Sequence, residues 1–194
     1  LIDRKKFFDG IRGPLFYGNL TQGNVDGIDT TLDLWEGAKV DCDPLAGLAY
    51  TFATNWWEAR LPPDWKPRMQ PVEEYGKGAG HAYGKPDPVT GLVYYGRGDV
   101  QLTWADNYKR LGNALGIDLY RHPEIALDPL QSKRILVNGM LRGLYTPNAG
   151  PLKKYFPVGG PYDWTNARRM VNGTDKAAEI AALALKFHKA LLAA

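Results

Sequence analysis

Cysteine is almost missing from this chain: Cys42 is the only one in 194 residues. That excludes an internal disulfide and a thiolate metal cluster. Histidine is nearly as scarce, and His81, His122 and His188 do not fall at a His-Glu-x-x-His spacing, so zinc-amidase chemistry is disfavoured. Neither a Gly-x-Ser-x-Gly run nor a local nucleophile signature around Cys42 is present. Gly76-Lys77-Gly78-Ala79-Gly80 is glycine-rich but lacks the lysine-threonine ending of a phosphate loop. No apolar run reaches the length of a membrane span, and Leu1-Ile2-Asp3-Arg4-Lys5-Lys6 contains no apolar core of a signal segment. Internal repeats and low-complexity segments are also absent. The reading is therefore of a chain needing no cofactor and no metal, without stable membrane insertion.

A formal charge of +3 is too mild for a nucleic-acid binder, whose basic residues cluster heavily on one face, though it suits a polyanionic surface. The length fits one domain spanning residues 1–194, with two lobes around a cleft, and it can bury a sizeable core unaided.

Helix signals dominate. Asp43-Pro44 joins an N-cap to proline at the first helical position, and Leu45, Leu48, Phe52 and Trp56 follow at helical spacing, predicting a helix to about residue 59. Asp128-Pro129 repeats the signal before Leu130, Val137, Leu141 and Leu144. Val25, Ile28, Leu32 and Trp35 mark an earlier helix. Asp163 or Thr165 can open a short one ending near Asn172-Gly173, and Thr174 can cap a last helix through Ile180, Leu183, Phe187 and Leu191. That last helix reads as core packing, with a modestly basic membrane-active tail as the lesser alternative.

Between residues 60 and 100 six prolines exclude a long helix, and Gly76, Gly78, Gly80 and Gly84 permit tight turns. The pattern predicts a long ordered excursion with a small hairpin around Val93-Tyr94-Tyr95. An excursion of this length inside a compact domain is usually functional.

Two of its borders carry carboxylates. Glu58 follows Trp56-Trp57 at the end of an apolar helix, where burial and the negative end of the helix dipole both disfavour ionisation. The plain alternative is a glutamate on a surface turn. Glu73 and Glu74 lie in Met69-Gln70-Pro71-Val72-Glu73-Glu74-Tyr75-Gly76, and in extended backbone the two point to opposite sides, so one of them faces a cleft. Thr103, before Trp104-Ala105-Asp106, reads as an N-cap with Asp106 as an approximate capping-box partner. Arg97 and Asp99 read as a structural pair holding the turn, with contact to an anionic group on a substrate as the lesser alternative for Arg97.

The stretch Tyr94-Tyr95-Gly96-Arg97-Gly98-Asp99-Val100-Gln101-Leu102-Thr103-Trp104, with Asn107-Tyr108 beyond it, resembles the signature of glycoside hydrolase family 19, which includes chitinases and the muralytic domains of phage endolysins. The resemblance covers roughly residues 45 to 175. It implies a mainly α, two-lobed, lysozyme-like domain with a small β-hairpin beside the cleft, and an inverting hydrolysis by two carboxylates. On this resemblance Glu58 is the acid, although the family's His-Glu-Thr triplet reads Trp57-Glu58-Ala59 here. Glu74 is the base, with Glu73 in reserve, and Thr103 helps to place the nucleophilic water. Tyr95, Gln101, Asn107 and Asn172 correspond to positions that bind sugar, while packing for Tyr95 and a helix stop for Asn172-Gly173 are their ordinary readings. The family's late arginine has no counterpart on the final helix, where Glu179 falls near its place.

The Pro-Val-Glu-Glu-Tyr-Gly run and the lack of disulfides favour the endolysin/muramidase-type branch. The substrate expected is therefore the β-1,4 glycan of peptidoglycan, cut by a monomeric enzyme. Such a protein resides in the host cytoplasm before release to the wall if phage-encoded, and is secreted otherwise. The alternatives are a chitinase, a lytic transglycosylase and a non-catalytic wall-binding module.

Overall fold

The computed structural model describes all 194 residues and is mainly helical. Helix α8 (Ala177–Leu192), from the far end of the chain, packs on α1 (Arg4–Phe16) and α3 (Pro44–Glu58), while α2 (Gln22–Glu36) packs on α5 (Pro129–Arg142). Between α3 and α8 the chain also forms β1 (Val72–Glu73), β2 (Arg97–Gly98), α4 (Ala105–Leu115) and the single turns α6 (Leu152–Tyr155) and α7 (Arg169–Asn172). No helix is long and apolar enough to cross a membrane.

Both Asp-Pro starts form as their chemistry dictates. The Asp43 carboxylate accepts from the backbone N–H of Leu45 and Ala46, and Asp128 accepts from Gln131. Each satisfies amides that a helix start leaves without partners, and the proline sits where its missing N–H is harmless. α3 is buried from Ala46 to Trp56, so it runs through the molecule and delivers Glu58 at its C-terminus. Its Phe52 stacks between Phe7 of α1 and Phe187 of α8, with ring centroids 5.5 and 5.4 Å apart. Such pairs contribute roughly 0.5–1.5 kcal/mol each beyond their area burial. The cap at Cys42–Asp43 also buries the thiol, which burial pushes up to about 12, leaving it inert at neutral pH.

Three local expectations are corrected. The strands are not a hairpin around Val93–Tyr95: β1 pairs antiparallel with β2 across the whole excursion, Val72 opposite Gly98 and Glu73 opposite Arg97. Thr103 is not an N-cap, because α4 begins one residue later behind Trp104, which caps without its side chain at φ +69°. Nor does Thr174 cap α8; Lys176, in left-handed conformation, occupies that place. In the last two cases a residue with positive φ, Trp104 or Lys176, stands between the threonine and the first helical residue.

The segment before β1 is held by close approach rather than by secondary structure. A Cβ on Gly27 of α2 would lie 1.7 Å from the Met69 carbonyl oxygen, so only glycine lets helix and loop meet. Asn24 of the same helix donates to the carbonyls of Pro67 and Arg68. The loop leading to Glu73 and Glu74 is thereby docked on α2.

Candidate active site

Glu58 opens onto a cleft of about 400 Å³, lined also by Tyr83, Gln101, Thr103, Trp104, Asn107, Tyr145, Thr146 and Asn172. Its side chain is only 15 % exposed, and its carboxylate oxygen accepts a 2.6 Å bond from the Arg168 guanidinium. Burial raises the carboxyl above its ordinary range, and the attraction of Arg168 offsets this only in part. Arg168 is itself buried; its Nε donates to the Asp175 carbonyl, which fixes the fork that faces Glu58. Here is a residue the sequence reading missed. The cation that meets Glu58 comes not from the final helix but from the short turn before Asn172, 110 residues away from Glu58 in the chain. A helix opening at Asp163 or Thr165, followed by the paired Arg168-Arg169, was the only local hint.

An acid catalyst must be protonated, so its contribution is present below its folded pKa and lost as pH rises through it. Replacing Arg168 with methionine removes the charge that pulls Glu58 downward. The alkaline limb of the pH–kcat profile of Arg168→Met is expected at higher pH than in the parent; an unmoved limb would mean that Arg168 does not govern this carboxyl.

The two adjacent glutamates separate as extended backbone requires. Glu73 accepts from the Tyr95 hydroxyl and pairs with Lys77 at 3.0 Å, and these two partners hold its carboxyl below the usual range. Glu74 turns the other way: the Gly96 N–H donates to one oxygen at 2.8 Å and the Tyr83 hydroxyl to the other at 3.0 Å. Tyr83, not Glu74, is the member of this pair that lines the cleft.

Along the opposite wall the wall residues divide by what their polar atoms already do. Gln101 lines the cleft at φ +51°, but its amide nitrogen donates to the carbonyls of Val72 and Gly98, bracing β1 against the turn. The Asn107 oxygen is taken by Arg110, which leaves its NH₂ for a ligand. The Thr103 hydroxyl makes no hydrogen bond within the protein and faces the cleft. Asn172 is exposed at the cleft rim. Tyr95 is absent from the lining: its hydroxyl serves Glu73 and its ring carries the Arg97 guanidinium, 3.5 Å above the ring centroid. Arg97 is buried and therefore structural, and so is Asp99, although Asp99 pairs with Lys133 rather than with Arg97.

No group of three or more acidic, histidine or cysteine side chains is arranged to hold a metal ion. The cleft lining holds one carboxyl group, Glu58, among side chains without formal charge, and the chemistry such a carboxyl can perform is proton transfer.

A family model described as class I chitinase matches residues 74–137. The chain carries a glycoside hydrolase family 19 segment. That segment holds Glu74, the turn through Gly96–Thr103 and the start of α5, while Glu58 and Arg168 lie outside it. Endochitinase A2 of Pisum sativum is 46 % identical over 45 residues, 23 % of this chain and 14 % of that protein. An inactive chitinase-like protein 1 of Hevea brasiliensis is 44 % identical over 48 residues, 23 % of this chain and 15 % of its own length. The chain thus matches only about a seventh of these relatives. Among solved structures, chitinase C from Streptomyces griseus HUT6037 superposes with a TM-score of 0.60 at 19 % identity, covering 98 % of this chain and 92 % of that one. A bacterial family 19 chitinase gives 0.59 at 20 %, covering 98 % and 94 %. At such identities the likeness establishes the fold alone, mainly α and lysozyme-like, over 98 % of this chain.

Proposed function

We propose that this chain is a glycosidase that hydrolyses β-1,4-linked N-acetylglucosamine polymers of the chitin type. Glu58 protonates the glycosidic oxygen, Glu74 takes a proton from water, and that water attacks the anomeric carbon from the face opposite the departing sugar as the C–O bond breaks. The Thr103 hydroxyl, free of any protein partner, helps to hold the water. Asn107 and Asn172 bind the sugar chain from the two sides of the cleft.

The observation that carries this reading is the protonation-prone Glu58 facing a polar wall across a cleft of about 400 Å³. Two carboxyl groups roughly 6.5 to 9.5 Å apart leave room for the attacking water in inverting enzymes. The choice of chitin over peptidoglycan rests on charge: no lysine or arginine lines the cleft to meet the carboxylates of a peptide-bearing glycan. Similarity to chitinases in the wall segment points the same way. Similarity over 48 residues to a chitinase-like protein named inactive makes Glu58, outside the family-model match, the decisive residue.

The test is digestion of the N-acetylglucosamine hexamer beside purified peptidoglycan sacculi, followed by mass spectrometry of the products and NMR of the first anomer formed. Short oligomers released initially as the α-anomer are expected. Soluble muropeptides from sacculi with an intact hexamer would replace chitin by peptidoglycan and restore the endolysin reading, with its cytoplasmic accumulation before wall attack. Anhydro ends would indicate a lytic transglycosylase, and binding without cleavage a wall-binding module.

A further inference from the structure

The excursion between β1 and β2 contributes an aromatic side chain whose position needs explanation. Tyr83 lies in a 3₁₀ turn, Ala82–Gly84, that is folded back on the excursion itself: a Cβ on Gly84 would stand 1.8 Å from the Gly78 carbonyl oxygen, and Gly78 has φ +79°. The turn exists only because both positions are glycine. Its tyrosine ring lies parallel to His81, centroids 4.9 Å apart, and meets Trp104 edge-on at 5.7 Å. Three aromatic rings therefore fix one hydroxyl.

That hydroxyl donates to one oxygen of Glu74, while the Gly96 N–H donates to the other. With both oxygens engaged, the carboxylate cannot rotate without losing a charge-assisted bond. Burial and the neighbouring carboxylate push the phenol up to about 12, so it remains a donor throughout the neutral range. Glu74 does not line the cleft and Tyr83 does. The phenol that holds the carboxylate, and not the carboxylate itself, therefore forms the cleft surface here.

We infer that Tyr83 is a positioning residue for the base, clamping Glu74 in the orientation from which it serves the water beside Thr103. The inference rests on the reading of Glu74 as base, and the test separates the two. Tyr83→Phe keeps the ring packing against His81 and Trp104 and removes only the donor. With the N-acetylglucosamine hexamer as substrate, the variant is expected to lose on the order of 10- to 100-fold in kcat, the worth of one hydrogen bond to a charged group. KM is expected to stay within about twofold, because the phenol acts on the carboxylate rather than on bound sugar. Because Tyr83 acts through Glu74, the Tyr83→Phe/Glu74→Gln double variant is expected to be no slower than Glu74→Gln alone. A purely structural tyrosine would instead lower kcat by the same factor with and without Glu74.

Parental kcat in Tyr83→Phe, or an equal loss in the Glu74→Gln background, overturns the inference. Parental activity in Glu74→Gln alone overturns the base reading and this inference with it. Should no glycan be cleaved, the crystal structure of Tyr83→Phe decides: Glu74 swinging away from the Gly96 N–H supports the clamp, and an unchanged carboxylate overturns it.

Discussion

Glu58→Gln is expected to lose about 10²- to 10⁴-fold in kcat on chitin oligomers, the usual contribution of a positioned general acid, while still binding them. The substitution removes the transferable proton and little else. An amide of the same size keeps an oxygen for the Arg168 guanidinium, which now lies 2.6 Å from the carboxylate. It also removes a carboxyl whose ionisation is opposed by burial. The substitution also leaves the buried Arg168 guanidinium without a counter-charge, so the melting temperature is expected to fall. Kinetics, calorimetric binding of the hexamer and thermal unfolding measured on one preparation check all three statements. Cleavage at the parental rate would remove Glu58 from the mechanism, whatever its surroundings.

Lys133→Met is expected to be the most destabilising single change, by about 3–5 kcal/mol, since it breaks a fully buried ion pair by deleting one partner. Lys133 is 1 % exposed and donates to three groups: the Asp99 carboxylate at 2.7 Å, the Asn55 side-chain oxygen at 2.9 Å and the Met69 carbonyl at 2.7 Å. Without it Asp99 would hold an unneutralised charge in the interior, where its second oxygen already has no hydrogen-bond partner. For a chain of this size the loss corresponds to roughly 6–20 °C in melting temperature. Lys133→Met/Asp99→Asn removes both charges together and is expected to recover most of the loss. Additive losses in the double variant would mean that the pair is not the source of the effect. The network matters for the site because its members sit beside the machinery. Asn55 is one turn before Glu58 on α3, Met69 precedes the two glutamates, and Asp99 lies in the turn that leads to Gln101 and Thr103.

Glu58 itself illustrates how far the sequence reading reached. Its helix was legible because an Asp-Pro start and an apolar stripe are local signals, but its burial was not, because a helix end followed by a turn fits an exposed glutamate equally well and only packing against Arg168 decides. The divergence of Glu73 and Glu74 followed from the alternation of extended backbone, and the structure gives them separate partners. The small sheet was misplaced because two residues per strand carry no periodicity, and their pairing partners are more than twenty residues apart. Thr103 and Thr174 failed as caps for a related reason: a residue with positive φ follows each one before the helix begins, Trp104 directly and Lys176 two positions later.

The sequence by itself determined the helices, since each depends on neighbours within a few residues, while Glu58 as candidate acid and the stretch from Tyr94 to Asn107 were singled out by their likeness to a known signature. Only the tertiary structure decided which cation meets Glu58, which phenol holds Glu74 and which lysine ties their supports together. Arg168, Tyr83 and Lys133 are ordinary residues until folding sets them against their partners, 110, 9 and 34 residues away. The physical reason is that a carboxyl's protonation and aim depend on burial and on charges within a few ångströms, and the chain brings such groups together only by packing.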